Sequence, residues 1–316
     1  LITPRMPRAR VMDYLRHPSL VGFKPYHLLS GRPNSYEAPL ASYLPEWAWE
    51  IAHERKLAIT LHMVRQGALS DPDNLKTIRA MCKKYPGVKL ILAHAARGFH
   101  PANTIRALPK LFGIENIWFD MAAVCEAAAM TAILREFGPH RLLWGSDFPI
   151  SEMRGRCASI GDSFVWVREP LVNWKTINPV CRPLAVGIES LLALREAGDN
   201  FGLSRGDLDL IFCENALQLL GLKKPAANAT QALYQHARQR IPGGVQLLSK
   251  RPEMFAPNQW PAYYRQARGC EVWDLDGRHY YDLSFNGIGA SLLGFRDPDV
   301  PRAGQRRLTR VSWCTL

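Results

Sequence analysis

Apolar runs of strand length alternate with amphipathic stretches along the first 222 residues. The runs are Leu20-Val-Gly-Phe-Lys24, Leu57-Ala-Ile-Thr-Leu-His62-Met, Val88-Lys-Leu-Ile-Leu-Ala-His94-Ala, Asn116-Ile-Trp-Phe-Asp120 and Leu142 to Trp144. Each is short and bounded by turn residues, as buried strands are. Helical spacing fills the gaps at Pro45 to Arg55, Leu75 to Tyr85, Pro101 to Phe112 and Glu126 to Phe137. Val11 to Arg16 ends an earlier helix, and Ile188 to Arg195 starts a later one. Strand and helix in strict alternation predict parallel strands with right-handed crossovers.

Near Lys223 the grammar changes. Lys223-Lys-Pro-Ala-Ala-Asn-Ala-Thr230 reads as a polar linker, with 223–229 as its bounds. Gln231 to Arg240 is amphipathic, and Cys270 to Asp282 reads as a hairpin turning at Asp276-Gly277. The pattern therefore predicts two parts, residues 1–222 and 230–316.

Composition narrows the function classes. The net charge is +12, yet the basic residues are scattered without a block or an interleaved aromatic patch, which argues against a nucleic-acid partner. The 7 cysteines contain no Cys-x-x-Cys pair and suit a reducing, cytoplasmic setting. The longest apolar runs, such as Met121 to Cys125, are far too short for a membrane span.

The candidate chemistry sits where strands end. His62 and His94 each close a strand, and Asp147 follows Leu142-Leu-Trp-Gly145-Ser through a turn that Pro149 prolongs. At the carboxyl end of an α/β barrel such residues share one pocket. Two imidazoles and a carboxylate suit a divalent metal, zinc above all. Arg65 and Arg97 each lie three residues past a strand-end histidine, where a substrate carboxylate is within reach. Residues 151–183 form a long segment that shapes a pocket, meets another subunit or packs on the core.

Gly22-Phe-Lys24-Pro, Leu61-His62-Met, Leu92-Ala-His94-Ala-Ala-Arg-Gly98, Trp118-Phe-Asp120 and Leu142-Leu-Trp-Gly-Ser-Asp147-Phe-Pro together resemble the amidohydrolase superfamily. The branch is the group that includes aminocarboxymuconate-semialdehyde and resorcylate decarboxylases; Leu203 to Gly221 resembles its closing helix. The resemblance implies a partial (β/α)8 TIM-type barrel, strands four to eight, over residues 1–222. It implies that His62 and Asp147 ligate the metal, that His94 is a ligand or the base, and that a metal-bound water hydrolyses an amide, lactone or ester. Decarboxylation is the alternative. The family's His-x-His pair at its first strand has no counterpart in these residues.

Residues 230–316 resemble the amino-terminal part of class III pyridoxal-phosphate aminotransferases, most of all glutamate-1-semialdehyde aminomutase. That likeness rests on Leu233-Tyr-Gln-His-Ala-Arg-Gln-Arg-Ile-Pro-Gly-Gly244 and on Val272-Trp-Asp-Leu-Asp-Gly-Arg-His-Tyr-Tyr-Asp282. It implies an α+β segment, pyridoxal phosphate for the complete domain, and Asn286 and Gly287 near a substrate pocket; the cofactor lysine of that family is not Lys250. The combined expectation is a bifunctional, homo-oligomeric enzyme truncated at both ends and inactive as these 316 residues alone. The competing readings are an aminotransferase with a non-catalytic barrel-like scaffold, and a binding module.

Overall fold

The computed structural model describes residues 1–17, 19–169, 171–222, 229–283 and 292–308. Most of the expected linker, together with Asn286 and Gly287, lies outside them. The chain divides into two compact units, Leu1–Lys223 and Lys224–Leu316.

The first unit is α/β. Five strands, β1 (Gly22–Phe23), β2 (Ala58–Leu61), β3 (Lys89–Leu92), β4 (Ile117–Asp120) and β5 (Leu142–Leu143), lie side by side in chain order. All four pairings are parallel. The sheet is open, with β1 and β5 as its edges. At the β1 edge a Cβ on Gly22 would stand 2.4 Å from the Ala58 carbonyl oxygen, so only glycine allows that pairing.

Alternation along the strands sorts their side chains into two layers. Ile59, Leu61, Leu90, Leu92, Ile117, Phe119 and Leu142 face the main core. The helices Glu46–Arg55, Pro72–Lys84, Pro101–Ala107 and Ala127–Phe137 add Trp49, Ile78, Ala107 and Ile133 to it. The third of these is shorter than its spacing predicts, because Pro109 turns residues 108–111 into a 3-10 segment. Ala58, Ile91 and Leu143 point the other way, and Leu219 of the helix Asn215–Leu220 buries them. That last helix covers the opposite face, whose apolar side chains need cover of their own. Asn215 fixes it by donating to the carbonyls of Pro139 and Leu142 at 2.9 and 2.8 Å.

Residues 151–183 contain an antiparallel hairpin, β6 (Gly155–Ile160) and β7 (Ser163–Arg168), turning at Gly161-Asp162. No helix among the described residues is long and apolar enough to cross a membrane.

The second unit holds the helix Ala229–Arg238 and an antiparallel sheet of β8 (Tyr264–Arg268), β9 (Glu271–Asp274) and β10 (His279–Tyr281). Asp274, 1% exposed, accepts from the N–H groups of Asp276 and Arg278 and from the Tyr280 hydroxyl, which closes the expected Asp-Gly turn. Asp276 in turn accepts from the N–H groups of Ala229 and Thr230 and so caps the helix.

Candidate active site

β2 and β3 deliver His62 and His94 to the same end of the sheet, with ring centroids 5.0 Å apart. β3 ends in an uncommon way. His94, Ala95, Ala96 and Arg97 have φ of 58°, 51°, 60° and 59°, one turn of left-handed helix built without glycine. Such a turn costs roughly 1–2 kcal/mol per residue, so its surroundings must hold it. They do so at several points. The Asp120 carboxylate accepts from the His94 N–H at 2.9 Å and from the Ala122 N–H at 3.0 Å. Thr104 donates to the Ala95 carbonyl at 2.7 Å, and the Gly98 N–H to the His94 carbonyl at 2.7 Å.

The turn brings Arg97 back over β2. Its Nη1 donates to the Met63 carbonyl at 2.8 Å and to Nε2 of His62 at 3.2 Å. A guanidinium has no acceptor, so Nε2 of His62 accepts and the ring proton sits on Nδ1. Among the described residues that Nδ1 is buried without a partner. Burial first, then the charges of His94 and Arg97, push the His62 pKa down to about 2, so the ring is neutral. His94 Nδ1 lies 2.8 Å from the Ala122 carbonyl, which only accepts. His94 therefore also carries its proton on Nδ1 when neutral, and Nε2 keeps a lone pair.

Arg97 is 9% exposed, and no carboxylate of the described residues lies within ion-pair distance of it. Burial lowers its pKa, while Tyr36, Tyr43 and Tyr26 raise it. A buried cation flanked by phenols and lacking a counter-charge is a ready anion site.

Arg65 has a different place. Its Nη1 donates to Asp71 at 3.0 Å and to Asp73 at 2.9 Å, so the two carboxylates that start the helix Pro72–Lys84 occupy it. Asp147 follows β5 with a φ of 53°. No hydrogen bond or ion pair among the described residues joins it to either histidine. Its charge is felt at Tyr26, whose phenol is raised by burial, then by Tyr36 and Asp147.

Sequence reasoning missed two neighbours. His27, 1% exposed, stands 5.4 Å from the His62 ring and 4.8 Å from both Tyr26 and Tyr36, with Nδ1 on the Ser35 hydroxyl. It follows Lys24-Pro25-Tyr26 after β1 rather than ending a strand, so only its nearness to a strand end could have flagged it. Asp120 was legible as a strand end but not as the acceptor that holds His94.

A catalytic divalent ion needs about three protein ligands with free lone pairs. Nε2 of His62 is engaged by Arg97 and Nδ1 carries the proton. Among the described residues no three His, Cys, Asp or Glu side chains are grouped to hold a metal. His62, His94 and Asp147 thus do not assemble here into the three-donor set that the resemblance implies.

The amidohydrolase model matches residues 8–222, more than half of the chain. The chain belongs to the amidohydrolase family. An L-fucono-1,5-lactonase of Burkholderia ambifaria is 24% identical over 127 residues, 35% of this chain and 44% of that protein. A 3-aminobutyryl-CoA aminotransferase of Cloacimonas acidaminovorans is 28% identical over 85 residues, 27% of this chain and 20% of that protein. A glutamate-1-semialdehyde 2,1-aminomutase of Methanothrix thermoacetophila is 31% identical over 83 residues, 26% and 18% of the two chains. The chain thus spans less than half the length of each of these relatives. An amidohydrolase crystal structure from Burkholderia multivorans is similar over 68% of this chain and 69% of that one, at 16% identity and a TM-score of 0.45.

Proposed function

We propose that the first unit hydrolyses a small carboxylate-bearing lactone or ester, with His94 as base and Arg97 as the group that binds the anion. The observation that carries this reading is the pair of fixed tautomers beside an uncompensated buried cation. His94 Nδ1–H is held by the Ala122 carbonyl, which leaves Nε2 to take a proton from water. Arg97 holds the substrate carboxylate. The lactonase relative favours hydrolysis.

No step is assigned to a metal: Nε2 of His62, one of the donors that the resemblance names for it, is engaged by Arg97. A histidine base and an arginine anion site need no metal ligand.

For the second unit, after a linker at 223–229, we propose kinship with the amino-terminal segment of a pyridoxal-phosphate aminotransferase or aminomutase, on the strength of the two aligned relatives. Lys250, its one lysine among the described residues, ends a short 3-10 turn, and no step is assigned to it.

The test is turnover of a panel of carboxylate-bearing lactones and esters, with and without a chelator. The proposal expects ring or ester opening that survives chelation and is lost in His94→Gln. Release of carbon dioxide from a hydroxybenzoate instead would move the site to the decarboxylase reading, and activity untouched in His94→Gln would reject His94 as the base.

A further inference from the structure

The β6–β7 hairpin is spare to the chemistry so far, yet it is tied down at both ends. At its base Arg156 donates to the Cys125 carbonyl at 2.7 Å, and nearer its tip the Ser159 N–H donates to Glu126 at 2.7 Å. The Ser159 hydroxyl also donates to Glu126. At its tip Asp162 accepts from Gln66 at 2.9 Å, on the loop that follows His62. Gln66 is itself held, since its carbonyl accepts from Asn103 at 2.8 Å.

Between these ties the hairpin presents two rings to one residue. Phe164 and Trp166 lie 5.1 and 5.3 Å from Phe99, and Phe99 stacks on His94 at 5.1 Å and 28°. Phe164 also lies beneath Arg97, with the guanidinium carbon 5.4 Å from its ring centre. Phe99 lies two residues past the left-handed turn and is 7% exposed. The polar anchors of that turn come from the sheet and its helices; the aromatic anchor comes from the hairpin.

We propose that Phe99, Phe164 and Trp166 are positioning residues. The hairpin, acting through Phe99, sets the plane of the His94 imidazole, and Phe164 sets the place of the Arg97 guanidinium. The claim that positioning serves catalysis rests on the hydrolase reading; the claim that the hairpin orients His94 does not.

The experiment uses the full chain labelled at the histidine Cε1 carbon and followed by NMR. His53 serves as the internal control, since its Nδ1 accepts from the Gly87 N–H and no ring contact links it to the hairpin. Phe164→Leu combined with Trp166→Leu leaves Phe99 in place and touches no atom of His94. The expected result is a displaced or broadened His94 signal beside an unchanged His53 signal. Asp162→Asn, a milder change at the tip, should move the same signal less. If the double variant fails to fold, seen as loss of the His53 signal, each single variant carries the test. A His94 signal unmoved by the hairpin variants, but moved by Phe99→Leu, would overturn the proposal and leave the hairpin a cover. On a hydrolysed substrate, Trp166→Leu should lower kcat about tenfold with little change in KM, as misplacement of a base does. Absent turnover in the wild type with a displaced His94 signal in the variants would sink the hydrolase reading alone.

Discussion

The guanidinium of Arg97 donates to Nε2 of His62 across 3.2 Å, and the direction of that bond decides how the site can work. It makes His62 an acceptor on one side and, among the described residues, an orphan donor on the other, and it places a buried positive charge beside a neutral imidazole.

Arg97 is accordingly the residue least open to conservative change. Both bonds, to the Met63 carbonyl and to His62, leave from Nη1, and lysine keeps the charge but not the planar guanidinium that fixes the direction of that nitrogen. Arg97→Lys should lower kcat/KM by roughly 100-fold, about 2.7 kcal/mol of transition-state stabilisation. Thermal melting and steady-state kinetics on the same preparation check it. A variant that melts like the wild type and keeps its kcat/KM would argue that the charge alone suffices.

Arg65 gives the opposite expectation. Its partly buried bridges to Asp71 and Asp73 hold the start of a helix, so Arg65→Met should lose on the order of 1 kcal/mol of stability. Substrate affinity should stay as it was. A raised KM without loss of stability would restore the carboxylate-binding role that its position in the sequence suggests.

Acid should destabilise the first unit through His62. The unfolded ring takes up a proton near 6.5, while the folded ring resists until about 2. Below 6.5 the unfolded state therefore binds more protons, so this stability is complete above that pH and is lost as pH falls through the window. The loss amounts to as much as about 1.4 kcal/mol per pH unit. Urea unfolding near pH 7 and near pH 5 should show the slope, and His62→Gln should flatten it. Equal slopes in the two proteins would assign the acid sensitivity elsewhere.

The inner face of the sheet supplies a test of the fold. Leu219 covers Ala58, Ile91 and Leu143 and is 5% exposed, so Leu219→Ala should cost about 2–3 kcal/mol. A change within ±0.5 kcal/mol would mean that the last helix does not seal this face.

Much of this arrangement was legible because strand burial writes itself as apolar runs. The five parallel strands follow from those runs, and His62, His94 and Arg97 lie where the runs stop. The left-handed turn was not legible, since Ala93-His-Ala-Ala-Arg97 is rich in right-handed helix formers and contains no glycine to announce positive φ. Tertiary anchors from Asp120 and Thr104 override that local preference. The β6–β7 hairpin did carry a signal, Gly161-Asp162 between alternating runs, which was submerged in a long segment given no elements of its own. Nor does the sequence reveal that Arg97 is bonded to His62, because the contact spans 35 residues and depends on the turn.

The account stands on which nitrogen of His94 is bare. Long-range ¹⁵N–¹H correlation of the histidine rings in the full chain near neutral pH reads this directly. The account predicts a protonated Nδ1 and an unprotonated Nε2 for His94, with the same Nδ1–H tautomer at His62. A proton on His94 Nε2, with Nδ1 bare, would contradict it, because the nitrogen assigned as base would then have no lone pair to offer.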